Sequence, residues 1–224
     1  MKELVEGFHR FQQSLSKSER ESFKKLAGGQ NPLALFITCS DSRIDPNWIT
    51  QSKPGDLFIL RNAGNIIPPY GASGGGEAAT IEYAVANLGV KEIIVCGHTY
   101  CGAMQALLSG PESVADLPAA RAWLGHAEAT RRITRENYAH LEGNSLLTAA
   151  VQENVLVQLE NLRTHPVIAA GLVRGTIKLY GWVYKIDKAE VFAYVPGRGQ
   201  FLALPEHPSV PIPSAMQLAV KRII

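Results

Sequence analysis

The 224-residue chain reads as an α/β protein with a mainly parallel central sheet, flanking helices, an N-terminal helical arm and an edge hairpin near the C-terminus. Three observations predict this class. The apolar runs at residues 33–38 and 93–96 are continuous rather than alternating, the pattern of strands buried on both faces. Helix-length segments separate them, and strand–helix–strand alternation implies parallel strands joined by right-handed crossovers. Two alternating segments further on meet at Asp187-Lys188, as in a hairpin.

The elements follow in order. Leu4, Val5, Phe8, Phe11 and Leu15 make the apolar stripe of an amphipathic helix. Ser18 with Glu21 carries a capping-box signature for a second short helix ending at Ala27. This terminal stripe calls for a covering neighbour and suits a second subunit. A strand is predicted at residues 33–38. Asp45-Pro46 pairs an N-cap with proline at the first helical position, opening a helix through about Gln51. Residues 57–61 read as a strand, 62–76 as a glycine- and proline-rich loop, and 77–88 as a helix ended by Gly89. A third strand is expected at 92–96 and a helix at 102–108, then a loop at 110–118 with Pro111 and Pro118. Helices at 119–136 and 145–164 precede strands at 176–186 and 190–195. Pro205, Pro208, Pro211 and Pro213 mark an extended tail, with a short helix expected at 215–224. No internal repeat or linker stands out, so residues 1–224 read as one domain, with an arm at 1–27 and a tail at 205–224.

Composition narrows the function classes. With 46% hydrophobic and 19% charged residues the chain lies near the globular average, which argues against a disordered or fibrous protein. Lys and Arg number 22 against 20 Asp and Glu, and no single-sign run reaches five residues. Neither a nucleic-acid arm nor a polybasic membrane anchor is supported. The apolar stretches fall far short of the ~18 residues of a membrane span. Met1-Lys2-Glu3 opens no apolar leader segment, and three cysteines, an odd number, suit a reducing compartment, so a cytoplasmic location is expected.

Two segments carry the chemistry. Cys39-Ser40-Asp41-Ser42-Arg43 directly follows the first strand, and Gly97-His98-Thr99-Tyr100-Cys101-Gly102 follows the third. In an open parallel sheet, ligands bind beyond the carboxyl ends of the strands, where both segments fall. Two thiols and an imidazole are a donor set suited to zinc, and three protein ligands leave a position open, as in a catalytic site. A buried cysteine also serves as a small hydrophobe, and on spacing alone both readings stand. Cys96, inside an apolar run, reads as core. The glycine loop at 71–76 before Glu77 suggests an anion-binding helix N-terminus, but it lacks the Gly-Lys-Ser/Thr ending of a P-loop. Cys39 and Arg43 are too close in sequence to wrap a phosphate as a phosphatase loop does.

Cys-x-Asp-x-Arg after one strand and Gly-His-x-x-Cys-Gly after another resemble the motifs of the β-class carbonic anhydrases. The likeness extends through Arg61-Asn62-Ala63-Gly64-Asn65, Glu82-Tyr83-Ala84-Val85 and Gly181-Trp182-Val183-Tyr184. It covers most of the chain and is strongest toward bacterial and cyanobacterial members. The resemblance implies Zn²⁺ on Cys39, His98 and Cys101, and reversible hydration of CO₂ to bicarbonate and a proton by a zinc-bound hydroxide. Two thiolates offset the charge of the ion, so a pH–rate profile displaced to the alkaline side is expected. Asp41 would orient the attacking oxygen and Arg43 would hold Asp41; in some members the aspartate instead closes the site as a fourth ligand. Gln30 stands where plant-type members carry a substrate-contacting glutamine at a dimer interface, which favours the open form. Phe58 and Tyr83 would line the pocket, with the Gly102 N–H donating to a substrate oxygen. Asn87 replaces a histidine that some plant enzymes use to relay protons, leaving that step to water or buffer. The family also implies a homodimer or higher dimer-based oligomer, and cyanobacterial relatives are recruited to carboxysomes, often through C-terminal extensions. The same fold admits two other readings, a structural-zinc interaction module and a CS₂ or COS hydrolase.

Overall fold

The computed structural model describes residues 1–72, 75–204 and 214. The chain divides into two units, Met1–Asn31 and Pro32–Ile224.

The first unit holds helices α1 (Lys2–Ser14) and α2 (Lys17–Leu26). The capping box sits two residues earlier than expected. Ser16 is extended, accepts from the Glu19 backbone N–H at 3.2 Å, and receives the Glu19 carboxylate on its own N–H at 2.7 Å. Ser18 and Glu21 therefore lie inside α2. Phe11 and Phe23 meet edge to face at 6.0 Å, yet neither helix buries a residue. Phe8 and Phe11 stay 55% and 47% exposed, so the predicted apolar stripe exists and is left open.

The second unit is built on a six-stranded sheet in the order β2-β1-β3-β4-β5-β6. The strands are β1 (Ala34–Cys39), β2 (Leu57–Asn62), β3 (Glu92–His98), β4 (Lys178–Lys185), β5 (Glu190–Val195) and β6 (Gln200–Ala203). The first four are mutually parallel; β4, β5 and β6 run antiparallel. The expected hairpin is β4–β5. The short β6, which carries no long apolar run, extends it and was not foreseen.

Helix α3 (Pro46–Thr50) starts as read: Asp45 accepts from the N–H groups of Asn47 and Trp48 at 3.0 and 3.2 Å. Helix α4 (Gly76–Glu82) runs into a π turn at Tyr83–Asn87 before Gly89 takes a left-handed φ of +69°. Next come α5 (Gly102–Ser109), α6 (Pro118–Leu124), α7 (Glu128–Asn137), α8 (Gly143–Thr164) and α9 (Pro166–Arg174). The helix expected over 119–136 is interrupted by a 3₁₀ turn at Gly125–Ala127. Helix α9 lies in the stretch after residue 164 where no element was expected, and it begins at Pro166. The proline stands at the first position of the helix, where its missing N–H costs nothing. The proline-rich tail at 205–213, the helix expected at 215–224, and Ser73 and Gly74 of the glycine loop lie outside the described residues.

Alternation along β1 and β3 divides the core. Leu35, Ile37, Ile93 and Val95 join the larger cluster with Val151, Val155 and Leu159 of α8, while Phe36, Ile94 and Cys96 join a smaller cluster. Two glycines let α8 lie close to the sheet. A Cβ at Gly97 would fall 2.9 Å from Val151 Cγ1, and one at Gly181 would fall 2.9 Å from Val155 Cγ1. Among the described residues no helix is long and apolar enough to cross a membrane.

Candidate metal centre

The parallel register brings the two motifs together. Cys39 ends β1 beside Asn62 of β2, and His98 ends β3 beside Tyr184 of β4. Cys101 follows at the N-cap of α5. All three are buried, at 5%, 0% and 1% exposure, and their donor atoms lie within 4.8 Å of one another.

The chemistry of this set fits a divalent metal. The two Sγ atoms are 4.0 Å apart, and the cysteines are free. Tetrahedral zinc with bonds of ~2.3 Å to sulfur spaces its sulfurs by about 3.8 Å, so the pair needs little adjustment. His98 Nδ1 donates to the Thr99 carbonyl at 2.9 Å, which fixes the tautomer and leaves a lone pair on Nε2. That Nε2 is buried and, among the described residues, has no hydrogen-bond partner. A buried polar atom left unpaired costs about 1–3 kcal/mol, and a metal bond removes the deficit. Donation from the Cys101 thiol draws the Cys39 thiol well below the ordinary thiol range, against the opposing effect of burial. His98 and the Gly64 N–H, 3.4 Å from Cys39 Sγ, add to it. Cys101 is pushed up by the hydrogen bond its thiol donates to Cys39, by burial and then by its neighbour's negative charge. A cation between the sulfurs relieves that repulsion.

Asp41 borders the cluster, its Oδ2 lying 3.9 Å from His98 Nε2. Arg43 grips it bidentately, Nε to Oδ1 at 2.9 Å and Nη2 to Oδ2 at 2.7 Å. Arg43 Nη2 also donates to the Tyr100 carbonyl at 3.0 Å, tying one motif to the other. The guanidinium holds the Asp41 carboxyl far below the usual carboxylate range, against a smaller opposing effect of burial.

The remaining residues singled out from sequence are less closely gathered. Gly102 opens α5 beside Cys101, with open space where a Cβ would point. Phe58 and Tyr83 stack at 6.0 Å with Tyr83 49% exposed. Phe58 registers with Leu35, four residues before Cys39 and hence about 13 Å down the strand. Gln30 belongs to the N-terminal unit. Asn87 ends the π turn. Cys96 is buried in the smaller cluster, where burial pushes its thiol up to about 12.

Sequence reasoning missed Arg61 and Gly64 as parts of the site. Arg61 Nε donates to the Cys39 carbonyl at 3.0 Å, and its Nη2 to the carbonyls of Asp41 and Ile44 at 2.7 and 2.9 Å. It thereby shapes the loop bearing Asp41 and Arg43. Both residues stand in the quoted motif Arg61–Asn65, a signal that marked the family without disclosing the role.

The profile of the carbonic anhydrase family matches residues 34–191. A carbonic anhydrase of Synechocystis is 54% identical over 194 residues, covering 87% of this chain and 71% of that protein. One from Pseudomonas aeruginosa is 47% identical over 210 residues, covering 94% of each. The solved structure of the β-carbonic anhydrase CcaA superposes with a TM-score of 0.89 at 52% identity, over 91% of this chain and 99% of that one. A tetrameric β-carbonic anhydrase of Sordaria macrospora gives 0.74 at 29% identity, over 85% and 94%. The strand order, the Cys39–His98–Cys101 cluster and these likenesses agree: the chain belongs to the carbonic anhydrase family, in its β class.

Proposed function

We propose that the protein catalyses the reversible hydration of CO₂ to bicarbonate and a proton at a zinc ion held by Cys39, His98 and Cys101. The observation that carries this reading is the orphaned Nε2 of His98, buried within 4.8 Å of two free thiols and bordered by an arginine-clamped carboxylate. When bound, zinc supplies Lewis acidity that lowers the pKa of a coordinated water from ~15.7 toward ~7.

The chain's own residues do the rest. Asp41, kept ionised by Arg43, accepts a hydrogen bond from the attacking oxygen and aims its lone pair at CO₂. The two-point clamp by Arg43 supports the reading of Asp41 as an acceptor rather than as a fourth ligand. The Gly102 N–H donates to a substrate oxygen. Phe58 and Tyr83 form the pocket wall, and the distance of Phe58 down its strand fits donation of that wall by a second copy of the chain. The uncovered Phe8 and Phe11 stripe supports such a dimer-based assembly. The proton leaves through water or buffer, since Asn87 does not titrate. Three free cysteines suit a reducing compartment, for which we propose the cytoplasm.

The test compares bound zinc and CO₂ hydration rate in the parent, Cys101→Ser and Asp41→Ala. The serine variant is expected to lose the metal. The alanine variant is expected to keep it while its rate collapses. Equal activity in all three would reject the mechanism.

A further inference from the structure

The peptide unit joining Ala63 to Gly64 is held at both ends. Its N–H points at Cys39 Sγ, 3.4 Å away, and its carbonyl accepts from the indole Nε1 of Trp123 at 2.8 Å. The next carbonyl, that of Gly64, accepts from Asn154 Nδ2 at 2.8 Å. Asn154 is itself 1% exposed and fixed on its oxygen by Gln158 Nε2 at 2.9 Å and Thr130 Oγ1 at 3.3 Å. Gly64 takes a φ of +82°, and an added Cβ would lie 3.0 Å from Ala103 Cβ, so the turn is confined sterically as well. The rest of the loop is laced to α8. Ile67 N–H donates to Gln158 at 2.8 Å, the Ile67 carbonyl accepts from Asn161 at 2.8 Å, and His165 Nε2 donates to the Pro68 carbonyl at 3.1 Å.

We propose that Trp123 is a positioning residue of the metal centre: through the Ala63–Gly64 peptide, its indole N–H orients and strengthens the hydrogen bond that Gly64 donates to the Cys39 sulfur. The inference rests on the metal-centre reading above. Hydrogen bonds in series polarise one another, so donation into the Ala63 carbonyl makes the Gly64 N–H a better donor. Donation to a ligating thiolate draws charge from sulfur and fixes its direction, and groups that act on ligands in this way tune both affinity and electronic structure. Trp123 sits on α6, packs against the larger core cluster, and places its indole N–H on the Ala63 carbonyl of this peptide.

Trp123→Phe removes the indole N–H and keeps an aromatic ring. In the cobalt-loaded protein the sulfur-to-cobalt charge-transfer band is expected to move to lower energy, because the sulfur regains charge. Zinc is expected to dissociate about 10-fold more readily in chelator competition, the lower end of the range for such partners. His126→Ala removes the ring that stacks edge to face on Trp123 at 5.6 Å and keeps the N–H, so its band is expected to match the parent's. A shift of equal size in both variants would assign the effect to packing and overturn the proposal, as would an unshifted band in Trp123→Phe. A parent with no sulfur-to-cobalt band would overturn the metal centre and this inference together. Should the phenylalanine variant fail to fold, the cadmium-113-loaded parent decides: a scalar coupling between the metal and the Gly64 amide proton is expected, and its absence overturns the proposal.

Discussion

Arg43 and Asp41 form a two-point clamp, Nε to Oδ1 at 2.9 Å and Nη2 to Oδ2 at 2.7 Å, at the rim of the Cys39–His98–Cys101 cluster. Arg43 is 49% exposed at its side chain and Asp41 16%, so the pair adds little to stability. Its value is directional. A planar fork fixes the carboxylate's orientation, which a point charge does not.

Arg43→Lys therefore tests orientation apart from charge. The lysine variant is expected to retain the parent's zinc content while kcat/KM for CO₂ hydration falls on the order of 10–100-fold, measured by stopped flow. Parental activity in that variant would remove the clamp from the mechanism.

Close approach of α8 to the sheet predicts a stability effect at a site away from the metal. A methyl group at Gly181 would lie 2.9 Å from Val155 Cγ1 and 3.0 Å from Leu159 Cδ1. Gly181→Ala is expected to lower the unfolding free energy by about 1–3 kcal/mol through overpacking, read from the denaturant midpoint, with bound zinc unchanged.

His165 makes stability depend on pH. It is 2% exposed, and burial lowers its pKa from the ordinary 6.5, partly opposed by its bond to the Pro68 carbonyl. The folded state thus prefers the neutral ring, while the unfolded chain takes up a proton below about pH 6.5. The contribution is fully present above that pH and is lost as pH falls toward the folded-state value. Unfolding free energies of the parent and His165→Gln, measured from pH 7.5 to 5, are expected to differ in slope, the parent losing more. Parallel slopes would assign the pH dependence to other groups.

Much of this architecture was legible in the residues themselves. Unbroken apolar runs disclosed β1 and β3, Asp45-Pro46 disclosed α3, and placement after parallel strands put Cys39 and His98 at one sheet edge. Local rules failed where two signals competed. A proline so soon after α8 can end one helix or start the next, and Pro166 starts α9; Ser16 outcompetes Ser18 as cap because its extended backbone frees the hydroxyl for the Glu19 N–H. The support of the centre was hidden for a different reason. Arg61, Trp123 and Asn154 act on backbone carbonyls of residues distant in sequence and Gly64 acts through its own N–H, and hydrogen bonds that involve a peptide leave no periodic or compositional trace. Arg61 and Gly64 left a mark only through the motif Arg61–Asn65, which signals the family and not the role of either residue.

The central claim is that two sulfurs and one imidazole nitrogen hold a single divalent ion with one position left for solvent. X-ray absorption at the zinc edge of the stoichiometrically loaded protein tests it most directly. The account predicts two sulfur scatterers near ~2.3 Å and two lighter ones near ~2.0–2.1 Å, with the sulfur count halved in Cys39→Ser or the ion lost from it. A shell without sulfur, or a full-occupancy spectrum unchanged by that substitution, would contradict it.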